Sequence, residues 1–175
     1  MSRSPAVFFD RDGTLMEDAH YCADPANVKL YPGVPEALDR LRHAGFRLIV
    51  VTNQSGIGRG LITEAQYRAV HQELLRQIGE GRIDGSYFCA DAPGVPSVRR
   101  KPEIGMVLEA AADFDLDLPA SYFIGDKAAD VECGRRAGMR AILVLTGYGM
   151  QQECHPDLCA RDVVEAVGMV LQSAA

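Results

Sequence analysis

Three features predict an α/β fold built on a doubly wound, Rossmann-like parallel sheet. Short apolar runs of strand length alternate with segments of helical period, polar residues gather where the runs end, and glycine or proline punctuates the joins. Ala6-Val7-Phe8-Phe9 is the first strand, and Gly13-Thr14 turns the chain after it. Met16 to Pro32 reads as a polar loop. Val34 to Ala44 follows as a helix, with Val34, Leu38 and Leu41 at helical spacing and Gly45 as its stop. Phe46 to Val51 is the second strand, leading into Thr52-Asn53-Gln54-Ser55. Thr63 caps the next helix, with Glu64 and Gln66 in its first turn, and Gly79 or Gly81 ends it. Ser86 to Ala90 is a short third strand. Pro102 suits the first turn of a helix that runs to Phe114. Tyr122-Phe123-Ile124 is the fourth strand, followed by a helix from Ala128 to Ala137 that stops at Gly138. Ala141 to Leu145 is the fifth strand and Asp162 to Leu171 the closing helix. With no repeat, linker or low-complexity tract, residues 1–175 read as a single domain.

Composition narrows the partners. The chain is 47% hydrophobic and 24% charged, ordinary for a globular protein. No apolar run approaches the ~18 residues of a membrane span, and Met1-Ser2-Arg3-Ser4-Pro5 is too short and polar for a secretory signal. A net charge of −6 argues against a nucleic-acid partner, which wants a basic face. Five scattered cysteines, at 22, 89, 133, 154 and 159, are expected to be reduced thiols in the cytoplasm.

The chemistry begins at Asp10-Arg11-Asp12, directly after strand one. Ligands of open α/β sheets bind at the carboxyl ends of strands. One carboxylate there can act as nucleophile and metal ligand, and a second, two residues on, can carry a proton. The pair suits cleavage of a phosphate ester through an aspartyl-phosphate. Thr52 and Asn53 end strand two, Lys101 follows strand three, and Asp126 and Asp130 follow strand four, all predicted at one sheet edge.

Asp-x-Asp-Gly-Thr, an apolar strand into Thr-Asn, then Arg-Lys-Pro and Gly-Asp-Lys-x-x-Asp, in that order from Val7 to Gly147, resembles the haloacid dehalogenase superfamily of phosphatases. The resemblance implies Asp10 as nucleophile and Asp12 as general acid and base. It implies Mg²⁺ held by Asp10, Asp126 and the backbone carbonyl of Asp12, a hard cation on oxygen ligands. Thr52, Asn53 and Lys101 would donate hydrogen bonds to the phosphate oxygens, and Asp130 would position Lys101 or a metal-bound water. Met16 to Pro32 and Gly60 to Arg99 leave no room for the cap domain that many members insert, so an open site is expected, with specificity drawn from loops.

Those loops, Asp18-Ala19-His20-Tyr21, Thr52 to Gly60 and Arg99-Arg100-Lys101-Pro102, resemble the heptose-bisphosphate phosphatases of the histidinol-phosphate-phosphatase-like group, with histidinol-phosphate phosphatases as the alternative. The resemblance implies a small phosphorylated metabolite, a sugar bisphosphate, as partner of a monomer. Asp18, Ala19, His20, Tyr21, Gln54, Ser55, Arg59, Arg100 and Lys127 would contact it. Members usually carry a zinc loop of Cys-x-His and two further cysteines before Arg-Lys-Pro. Here Cys89 stands without them and Asp91 occupies the histidine position, so no zinc is expected.

Other readings are blander. Gly56-Ile57-Gly58-Arg59-Gly60 lacks the spacing of a nucleotide loop and reads as a flexible substrate loop. Cys154-His155 with Cys159 reads as a polar connection, Cys133 as packing, His43 and His71 as surface or boundary residues, and Arg135, Arg136 and Arg140 as a solvated face. A non-catalytic receiver-type phospho-acceptor domain also uses Asp, Thr, Lys and Mg²⁺. It would place its acceptor on strand three, where this chain offers only Asp91 beyond Ala90.

Overall fold

Six parallel strands form one sheet: β1 (Ala6–Phe9), β2 (Arg47–Asn53), β3 (Gly85–Cys89), β4 (Tyr122–Gly125), β5 (Arg140–Val144) and β6 (Leu158–Ala160), in the order β3-β2-β1-β4-β5-β6. This computed structural model describes residues 3–174. Met1, Ser2 and Ala175, which begin the Met1–Pro5 segment and end the expected 1–175 domain, lie outside the described residues. The strand order reverses between β1 and β4, with Phe9 paired to Val50 on one side and Ile124 on the other. In open α/β sheets the ligand crevice lies outside the carboxyl ends of the strands at such a reversal.

Strand β1 is buried along its whole length because helices cover both faces of the sheet. Its side chains alternate accordingly. Val7 and Phe9 pack with α1 (Val34–His43), α3 (Glu64–Ile78) and α6 (Val163–Ala174). Ala6 and Phe8 pack with α4 (Gly105–Phe114) and α5 (Ala128–Arg136). Phe8 stacks on Phe123 of β4, ring centroids 6.1 Å apart. The Thr63 hydroxyl accepts from the Gln66 backbone N–H while the Gln66 side chain accepts from the Thr63 N–H, a reciprocal cap that starts α3.

Four expectations are corrected. The sheet has a sixth strand, β6, where a polar connection was expected. The Asp157 carboxylate accepts the Ala141 N–H at 2.7 Å and fixes its register beside β5. The helix expected to open at Pro102 begins at Gly105. The Asn53 side chain grips both the N–H and the C=O of Lys101, each at 3.0 Å, and the Val98 carbonyl accepts the Gly105 N–H, so this stretch is tied into a turn. The expected flexible loop after strand two contains a single helical turn, α2 (Ser55–Gly58). His71 is buried rather than at a boundary, stacked on Tyr67 with both ring nitrogens unpartnered. Between β2 and Lys101 the chain holds α2, α3, β3 and connecting turns. Among the described residues, no helix is long and apolar enough to cross a membrane.

Phe8 is fully buried at the centre of one face of the sheet. Phe8→Ala is expected to cost about 3–5 kcal/mol, the range for emptying a buried aromatic position, read as a lowered midpoint in urea unfolding.

Candidate active site

Four elements deliver charged groups to one point. Asp10 leaves β1 with its backbone N–H held by the Ile124 carbonyl at 3.0 Å, which keeps the ends of β1 and β4 in step. Lys101 arrives from the turn after β3 and is buried. Its ammonium donates to Asp10 Oδ1 at 2.9 Å, Asp130 Oδ1 at 2.6 Å and the Val51 carbonyl at 2.8 Å. An ammonium has three donors, and all three are used within the protein. Asp130 Oδ2 accepts the Lys127 N–H at 3.0 Å, so this residue positions the lysine and starts α5 at once.

The charges set distinct protonation states. Burial alone would raise the Asp10 carboxyl, but the Lys101 and Lys127 ammonium groups outweigh it and bring Asp10 down to about 2. Burial likewise opposes the charge on Lys101, yet Asp10 and Asp130 lift it well above the usual lysine range. Asp126 behaves oppositely: burial first, then the Asp10 carboxylate, push it up to about 8. Its Oδ2 accepts the Tyr148 N–H at 2.9 Å, while its buried Oδ1 has no hydrogen-bond partner. The Lys127 ammonium stands 3.8 Å from that oxygen, too far to satisfy it.

An orphaned carboxylate oxygen beside a second carboxylate fits a hard divalent cation. Asp10, Asp126 and Asp130 each bring a carboxylate oxygen within 4.8 Å of the others. Asp130, however, already accepts from Lys101 and Lys127, which leaves Asp10 and Asp126 as the freer ligands. No hydrogen bond ends on the Asp12 carbonyl oxygen among the described residues, so it too is available. Two glycines make room here. Gly13, at φ +82°, and Gly147, at φ +54°, approach Asp126 so closely that a Cβ on either would lie 2.2 or 2.3 Å from Asp126 Oδ2.

Asp12 points along a different path. Its Oδ2 accepts from Arg11 Nε at 3.0 Å and from Gln54 Nε2 at 2.9 Å, and its Oδ1 accepts from Arg11 Nη2 at 3.2 Å. Gln54 also donates to the Thr52 hydroxyl at 2.9 Å, tying the end of β2 to Asp12. Thr52 is buried, and one N–H of the Asn53 amide is committed to the Lys101 backbone.

Above these groups opens a cleft of about 370 Å³. Of the expected contact residues, Asp18, His20, Tyr21, Gln54, Ser55, Arg100 and Lys127 line it, together with Asp12, Asn53 and Lys101. Ala19 and Arg59 do not. Ala19 is exposed beside the positive-φ turn at His20 and Tyr21, and Arg59 is exposed just past the end of α2. Arg100 reaches the cleft with one donor fixed on the Asp91 carbonyl at 3.0 Å. The Cys89 thiol is buried and donates to Asp91 Oδ2 at 3.4 Å, with Ser97 Oγ at 3.6 Å.

The sequence reading missed Tyr148. It lines the cleft, its ring lies 5.3 Å from the Lys127 ammonium, and its hydroxyl is 3.1 Å from His20 Nδ1 across the cleft mouth. Thr146 was missed with it, its hydroxyl donating to the Gly13 carbonyl at 2.6 Å. The signal available was position alone, since both follow β5 at the edge where the other groups gather.

Known proteins share this arrangement's sequence. Residues 7–74 match the haloacid dehalogenase-like hydrolase family and residues 98–166 the HAD-hydrolase-like family. The D-glycero-D-manno-heptose-1,7-bisphosphate 7-phosphatase of Chlorobaculum tepidum is 37% identical over 95% of this chain and 94% of its own. The D-glycero-beta-D-manno-heptose-1,7-bisphosphate 7-phosphatase of Escherichia coli K12 is 39% identical over 85% of this chain and 83% of its own. The crystal structure of the D,D-heptose 1,7-bisphosphate phosphatase of B. bronchiseptica, complexed with magnesium and phosphate, superposes with a TM-score of 0.88 at 28% identity, covering 97% of this chain and 99% of that one. With this identity spread over nearly its full length, the chain belongs to the phosphatases of the haloacid dehalogenase-like hydrolase family.

Proposed function

We propose that this phosphatase is Mg²⁺-dependent, forms an aspartyl-phosphate on Asp10, and hydrolyses the 7-phosphate of D-glycero-D-manno-heptose 1,7-bisphosphate. The observation that supports this reading of the reaction is the Asp10 carboxylate, held ionised by a fully paired Lys101 that lines the cleft and standing beside an unsatisfied Asp126. The substrate rests on the heptose-bisphosphate phosphatases that resemble this chain over most of its length.

In this reading Lys101 fixes Asp10 Oδ1 and leaves Oδ2 as the attacking oxygen. The Lys127 ammonium, 3.9 Å from Oδ2 and half-exposed, offsets the charge of the incoming phosphoryl group. The Asp10 Oδ2–phosphorus bond forms as the ester P–O bond breaks, and the Asp12 carboxyl protonates the departing alkoxide. Asp12 then takes a proton from the water that cleaves the aspartyl-phosphate, a role typically worth ~10²–10⁴-fold. Thr52 and the remaining Asn53 N–H support the phosphate oxygens. Asp10, Asp126 and the Asp12 carbonyl would hold Mg²⁺, which supplies charge neutralisation at the phosphoryl oxygens. Arg100, His20 and Ser55, on the walls of the cleft, would contact the sugar and its second phosphate. Zinc has no part in this reading. The Cys89 thiol donates to Asp91 Oδ2 and lies beside Ser97 Oγ.

Two outcomes are expected. Asp10→Asn, which keeps the shape but removes the nucleophile, reduces continuous phosphate release to background. In a panel of heptose 1,7-bisphosphate, other sugar bisphosphates and histidinol phosphate, kcat/KM is highest for the heptose bisphosphate; a large preference for histidinol phosphate overturns the substrate assignment and leaves the reaction class standing.

A further inference from the structure

Arg11 lies between the two aspartates and is the largest fully buried side chain in the protein, at 1% exposure. A guanidinium does not lose its proton inside a protein, so its burial demands a reason. Its fork meets Asp12 with two parallel donors, Nε on Oδ2 and Nη2 on Oδ1, the geometry that fixes a carboxylate's plane as well as its position. Asp12 itself is partly open to the cleft, with 16% of its side chain exposed.

The guanidinium is itself held from behind by α3. Its carbon lies 5.2 Å from the centre of the Tyr67 ring, and Tyr67 is wedged against Phe88 at 4.4 Å and His71 at 5.7 Å. Those neighbours add no competing charge: burial raises the Tyr67 hydroxyl to about 12, and burial with the Arg11 charge keeps His71 neutral, near 4. Arg11 Nη1 is buried without a partner.

We propose that Arg11 is a positioning residue for the proton transfer of Asp12, and that Tyr67 seats it. Asp12 must present a carboxyl oxygen to the ester oxygen as the P–O bond breaks, moving one proton from Asp12 to the leaving group. Free rotation of its side chain would scatter that oxygen across the cleft. The forked contact fixes the plane of the carboxyl, with the Gln54 amide as a second restraint on Oδ2, leaving Asp12 aimed but partly exposed. The inference rests on the acid role given to Asp12 above.

The test exploits leaving groups. kcat/KM reports the steps up to departure of the first product, so it isolates the acid half of the cycle. p-Nitrophenolate leaves without a proton, whereas the primary alkoxides of heptose bisphosphate and histidinol phosphate need one. Arg11→Lys keeps the charge and loses the fork. It is expected to lower kcat/KM about 10²-fold for the alkyl esters and less than 5-fold for p-nitrophenyl phosphate, with Asp12→Asn showing the same split. Tyr67→Leu, which leaves the arginine in place and loosens its seat, shows a smaller split in the same direction and answers the question if Arg11→Lys does not fold. Equal losses on all esters in the Arg11→Lys and Tyr67→Leu proteins assign Arg11 a structural role and overturn the proposal. A split absent from Asp12→Asn overturns the acid reading itself.

Discussion

Everything at the site depends on one buried ammonium. Removing a charge from water costs several kcal/mol unless it is paired and hydrogen-bonded, and Lys101 meets that condition only by drawing the ends of three elements together. The Val51 carbonyl ties it to β2, Asp10 to β1, and Asp130 to the start of α5. Taking the lysine away would leave two buried carboxylates facing each other, so the contact that activates the site also closes it. The Asn53 amide completes the constraint from the backbone side by gripping the peptide of the same lysine.

A second buried cation divides the labour. Asp10 and Asp12 are two residues apart, yet Lys101 claims the first and Arg11 the second. The same residue type is thereby given two environments, one buried against an ammonium and one partly open to the cleft. Helix α3 enters the chemistry only through this division. It contributes no group to the cleft, but its Tyr67 is the wall on which Arg11 rests.

What could be read from the chain follows from what a pattern can carry. Parallel strands buried on both faces appear as unbroken apolar runs, so β1, β2, β4 and β5 stand out, and with them the residues at their ends: Asp10, Asp12, Thr52 and Asp126. Strand β6 has three residues and one buried side chain, too little for any period to show. Tyr148 sits in a loop, where reach rather than spacing decides contact, and Ala19 and Arg59 stand outside the cleft lining for the same reason. Arg11 was hidden by its own type, since an arginine flanked by aspartates reads as a surface residue until the helix that covers it is in place. The start of α4 was misplaced because the grip of Asn53 on Lys101 acts across 48 positions of sequence.

Gly13 and Gly147 clasp the Asp126 carboxylate from two sides, each with less space than a methyl group requires. Sequence change is therefore channelled. Any side chain at either position would evict the carboxylate, so the surroundings of Asp126 resist drift one residue at a time. The rim residues at 18, 20, 21, 55 and 100 are half-exposed or exposed and bear on no such contact. New substrates can be explored there by single substitutions while the chemistry beneath stays as it is.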